Sequence, residues 1–222
     1  MKRHSHAPRL RRRSRAGTTV LEMVIAGTMS AVILGAIATA AISGQRSAAQ
    51  NLAMADLETR ARRAVDRIAE ELVSSRSAAL SPNPAGQFGA ATLTYQKDIG
   101  YAAGAAVFGV NQRIRWVLEP RETRNNIDDD RDGLVDEGVV ELTRDLGAGT
   151  QRVVTLARGV SEYLEDELPN GADDNANGLT DEQGLSFSLT GRTLTIRLSV
   201  QDIGSEGRVL TQTVETSLRI RN

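Results

Sequence analysis

From Met23 to Ser43 the chain carries 21 consecutive uncharged, mostly apolar residues. At 1.5 Å per residue a helix of that length spans about 32 Å, against about 30 Å for the hydrocarbon core of a bilayer. The period then changes. Leu57, Ala61, Ala64, Val65, Ile68 and Leu72 recur at helical spacing among charged residues, and the pattern predicts one amphipathic helix continuing to about Ser75. The acid precedes the base in the i,i+4 pairs Asp56/Arg60 and Glu58/Arg62, the better orientation for a helix. Pro82 and Pro84 close the segment.

Beyond residue 80 the period is two. Ile114, Trp116 and Leu118 alternate with Arg115 and Val117, and Leu185, Phe187 and Leu189 alternate with Ser186 and Ser188. Leu194, Ile196, Leu198 and Val200 repeat the pattern, and Thr190-Gly191-Arg192 reads as a tight hairpin between the two runs. Residues 208–221 place Leu210, Val214, Leu218 and Ile220 on one face, and further strands are predicted at 139–144 and 152–157. Short sequential strands joined by turns imply an antiparallel sheet, so the fold class is α+β: a long N-terminal helix packed on an antiparallel β-sheet head. Trp116 is read as a core residue.

Charge divides the chain in the same place as hydropathy. Residues 1–17 hold seven basic side chains and no acid, leaving 20 basic groups against 28 acidic ones in the remainder. Basic residues before an apolar span predict a cytoplasmic N-terminus, a single pass through the inner membrane and a periplasmic head. The acidic body argues against nucleic acid as a partner. Aromatic residues make up 3% and cysteine is absent, so the core rests on aliphatic side chains and no disulfide braces it. Both histidines, His4 and His6, lie in the basic leader. Without it the chain lacks the groups for Ser-His-Asp or Cys-His catalysis and for a nitrogen- or sulfur-ligated zinc, and an enzyme is not expected.

Glu22 interrupts the apolar run near its start. A carboxylate at membrane depth is costly and usually marks function. With Gly17 and Thr18-Thr19-Val20-Leu21 before it, this Glu resembles the processing motif of the type IV pilin-like family: a short basic leader ending in Gly, then an apolar helix with Glu as its fifth residue. The resemblance implies that a prepilin peptidase/methyltransferase cuts after Gly17 and methylates the amine of Thr18, although Phe or Met is usual where Thr18 stands. It also implies that Glu22 faces the cationic N-terminus of a neighbouring pilin or pseudopilin when the helix is drawn from the membrane into a filament. The implied layout is a leader at 1–17, a membrane segment at 18–43, its amphipathic continuation at 44–80 and a β-rich head at 81–222. Length and the ending ETSLRIRN are similar to a J-type minor pseudopilin of type II secretion or a W-type minor pilin. The alternative is a calcium-binding protein exported by a conventional signal peptide, with Ala38-Thr39-Ala40 as its cleavage site.

Two head segments form a repeat. NNIDDDRDGLVDE at 125–137 aligns with NGADDNANGLTDE at 170–182, offset by 45 residues. Asp128, Asp130 and Asp132 lead to Gly133, as Asp173, Asn175 and Asn177 lead to Gly178. Alternate oxygens before a glycine resemble the first half of a calcium loop, with seventh-position carbonyls from Leu134 and Leu179. The twelfth position of a calcium hand falls on Val139 and Gly184, so Asp136-Glu137 and Asp181-Glu182 are expected to close the shells around up to two calcium ions. Solvated Asx turns are the plainer reading. Against it, six carboxylates crowd into the ten residues from Asp128 to Glu137.

Overall fold

The computed structural model describes residues 19–85, 89–204 and 207–221. The leader, with Gly17 and Thr18, lies outside the described residues. One α-helix, α1, runs over Val20–Leu72, and nine strands follow. Contacts divide the chain into two compact units between Ser47 and Ala48.

In the first unit α1 exposes apolar side chains all round, including Val24, Met29, Val32 and Ile37. The Thr28 and Thr39 hydroxyls donate to the Ile25, Gly35 and Ala36 carbonyls one turn back, so these polar groups are met within the helix itself. By length and composition α1 can cross a membrane.

In the second unit α1 buries Leu57, Ala61, Ala64, Val65, Ile68 and Leu72, the stripe that the periodicity picks out. These residues share one core with Leu93, Tyr95, Ile114, Val140, Phe187 and Ile196 from the strands. Each large aliphatic side chain so buried contributes about 1.5–3 kcal/mol. The helix ends at Leu72, three residues short of the expected Ser75. There the Ser75 hydroxyl turns back to donate to the Leu72 carbonyl at 2.6 Å, a local bond that competes with further helix.

The strands are β1 (Thr92–Tyr95), β2 (Asp98–Ala102), β3 (Ala105–Phe108), β4 (Gln112–Leu118), β5 (Gly138–Arg144), β6 (Arg152–Val160), β7 (Leu185–Thr190), β8 (Thr193–Ile203) and β9 (Val209–Arg219). The main sheet is antiparallel in the order β1-β4-β5-β6-β8-β7, with β9 on the other side of β8; β2 and β3 form a separate hairpin. The sheet confirms the expected α+β layout. Gly191-Arg192 joins β7 to β8 with Gly191 at φ 62°, as the hairpin signal implies. β6 pairs with β5 along its length but with β8 only at Val160↔Val200, leaving most of that edge of β6 open. Trp116 is a core residue, and its indole N–H donates to the Val160 carbonyl at 3.3 Å.

Candidate metal centre

The two acidic segments occupy equivalent places, one between β4 and β5 and the other between β6 and β7. Their backbones match turn for turn. Arg131, Gly133 and Asp136 have φ of 69°, 96° and 51°; Ala176, Gly178 and Asp181 have 59°, 89° and 49°. Side-chain oxygens impose this path. Asp130 and Asp132 accept from the amides of Asp132 and Leu134, as Asn175 and Asn177 accept from those of Asn177 and Leu179. Asp128 accepts from Arg131 and Gly133, and Asp173 from Asn177 and Gly178. These are Asx turns in series, each holding the chain two to five residues ahead.

The repeat reaches further upstream than the acidic run. The Glu122 carboxylate accepts the amides of Asp129, Asp130 and Asp136 at 3.0–3.3 Å. Glu167, also 45 residues on, accepts those of Asn175 and Asp181 at 3.1–3.2 Å. The amides of Glu119 and Leu164 likewise donate to the carbonyls of Glu137 and Glu182. Glu122 and Glu167 hold the two loops through these amides, and the spacing of the acidic runs does not include them. Their signal was present, because Glu-x-x-Asn precedes both acidic runs at the same offset.

The carboxylates differ sharply in what surrounds them. In the first loop, oxygens of Glu122, Asp130 and Glu137 come within 4.8 Å of one another, and so do those of Asp128, Asp130 and Asp132. Glu137 is fully buried, and among the described residues neither of its carboxylate oxygens has a hydrogen-bond partner. Burial pushes its carboxyl up to about 7, the charges of Asp132, Glu122 and Asp130 adding to the rise. In the second loop Glu182 is equally buried but fully engaged. Asn177 Nδ2 donates to one oxygen at 2.7 Å, and Arg197 Nη1 stands 3.4 Å from the other.

Asp136 and Asp181, expected as closing ligands, accept backbone amides. Asp136 accepts from Asn125 and Asn126, and Asp181 from Asn170 and Gly171. Leu134 and Leu179 are buried, their amides held by Asp132 and Asn177. Glu22 lies elsewhere, in a reciprocal capping box with Thr19: its carboxylate accepts the Thr19 amide at 2.8 Å, and the Thr19 hydroxyl accepts the Glu22 amide at 3.3 Å. Compared with protein-family models, curated proteins and solved structures, the chain matches none.

Proposed function

We propose that the chain is a structural subunit of a periplasmic, type IV pilus-like filament: a minor pseudopilin or minor pilin serving protein secretion or pilus assembly, and not an enzyme. The observation that carries this reading is the division of labour along α1. Its N-terminal part is exposed and mostly apolar over a membrane-spanning length, while its C-terminal part buries one stripe in an antiparallel sheet core. A helix so built holds a head to a membrane and leaves an apolar surface free to pack against the same helix of other subunits. On this reading Glu22, capped onto Thr19 in the single chain, exchanges that local amide for the cationic N-terminus of a neighbour, because a charge entering an apolar bundle needs an opposite one.

The test is the N-terminal residue of protein extracted from membranes. Thr18 is expected, with Gly17→Leu retaining the basic leader as a larger mass. A mature chain that begins at Ala41 supports the exported calcium-binding alternative. Normal maturation of the Gly17 variant would overturn the prepilin reading.

A further inference from the structure

We propose that the first loop holds one calcium ion on Asp128, Asp130, Asp132 and Glu137, and that the second loop is its cation-free twin, neutralised from within by Arg197 and Asn177. The inference is independent of the filament reading, since it concerns only the head.

Two observations point to a cation in the first loop. Oxygens bound to one calcium ion at about 2.4 Å can stand at most about 4.8 Å apart, and both convergent carboxylate groups, which share Asp130, meet that limit. The second is Glu137. A buried carboxylate without a hydrogen bond or counter-charge is among the costliest arrangements a fold can hold, and this one converges with Asp130 and Glu122. Among the described residues none of Glu122, Asp128, Asp130, Asp132 or Glu137 forms an ion pair. A hard divalent cation supplies the missing charge and fills the empty coordination of Glu137 in one step. Calcium fits better than magnesium, which demands a near-ideal octahedron and retains water, whereas these ligands are numerous and anionic. Glu122 holds the loop backbone through three amides and lends its charge to the site.

The second loop is a control supplied by the molecule itself. Its backbone path and its scaffold carboxylates are those of the first. Yet Asn175 and Asn177 replace Asp130 and Asp132, and the Asn177 amide turns its N–H toward Glu182, where an ion would need an oxygen. Arg197, on β8, brings a guanidinium to the other Glu182 oxygen and also pairs with Glu215. With a fixed positive charge already beside the buried carboxylate, a divalent cation would be repelled rather than drawn in. The closing ligand therefore decides the matter: Glu137 is free for a metal and Glu182 is taken.

Isothermal titration of calcium into the chelator-treated full chain in detergent, with excess magnesium present, tests this. The expected stoichiometry is one. Glu137→Gln, which keeps the shape of the side chain, should abolish binding, and so should Asp132→Asn, which lies at an exposed position and leaves the core untouched. Glu182→Gln should leave the stoichiometry at one. Terbium emission sensitised by Trp116, the sole tryptophan, whose ring lies against Gly138 beside Glu137, should appear in the wild type and vanish with Glu137→Gln. The double variant Asn177→Asp/Arg197→Gln should raise the stoichiometry to two. No binding, a wild-type stoichiometry of two, binding lost through Glu182→Gln, displacement by magnesium, or a double variant that stays at one would each overturn the proposal.

Discussion

Replacing Glu71 with Gln removes one charge from the point where the C-terminal turn of α1 is fastened to the strands. Glu71 is 5% exposed. One carboxylate oxygen meets Arg144 Nη2 at 2.7 Å, the other pairs with Lys97, and the buried Tyr95 hydroxyl donates to the latter oxygen at 3.3 Å. Burial raises the Glu71 carboxyl, but the hydrogen bonds and charges of Lys97 and Arg144 outweigh it and hold the group below its ordinary 4.5. Breaking a fully buried pair typically costs about 3–5 kcal/mol. Here Lys97 and Arg144 keep 29% and 42% of their side chains in contact with solvent and can rehydrate, which discounts the loss to about 1–3 kcal/mol. For a unit of this size that is roughly 3–10 °C in melting temperature.

The pH dependence gives the sharper test. A carboxyl whose folded pKa lies below its unfolded value contributes stability that is present above the unfolded value and is lost as pH falls through the folded one. Thermal unfolding of wild type and Glu71→Gln, followed by Trp116 fluorescence in the same detergent, should therefore differ most near neutrality. The gap should close as pH falls below about 4.5. An equal gap at neutral and strongly acid pH would mean that packing, and not charge, ties Glu71 to the sheet, and would refute this reasoning.

Gly184→Ala should destabilise the head by more than about 1–3 kcal/mol, because the added methyl would fall 1.9 Å from the Ser161 carbonyl oxygen, a backbone atom with no rotamer to change; urea unfolding measures it. Glu167→Gln should loosen the second loop without any dependence on calcium, seen as faster amide hydrogen exchange at Asn175 and Asp181, the amides its carboxylate now holds.

The parts of this fold that could be read from the sequence are those with one buried face. The α1 stripe from Leu57 to Leu72 and the alternation through β4, β7 and β8 are written in residue type, since each element presents a single side to the core. β2 and β3 escaped because their hairpin is largely exposed and so imposes no alternation. β1 is four residues long, too short for a period to register. The acidic loops were legible as a repeat, but the distinction between them was not. Arg197 stands 15 residues beyond Glu182, and only the pairing of Ser186 with Arg197 across β7 and β8 brings its guanidinium near. Glu71 likewise reads as one of two adjacent surface acids until Lys97, between β1 and β2, and Arg144, at the end of β5, arrive beside it.

The open edge of β6 bears on solubility. Unpaired strand edges template association between copies, and Val153 and Val154, both exposed, would favour it. An antiparallel register centred on Thr155 would set Val154 against Leu156 and Val153 against Ala157, an attractive apolar ladder. The same register sets Arg152 of each copy opposite Arg158 of the other, and like charges directly opposed are destabilising, an effect that the ion pair of Arg158 with Glu119 reduces. The two arginines act as bumpers on a strand that is otherwise ready to aggregate. Because that repulsion is exposed, salt screens it over about 10 Å at 0.1 M and over shorter distances as ionic strength rises, so added salt weakens this barrier to edge pairing.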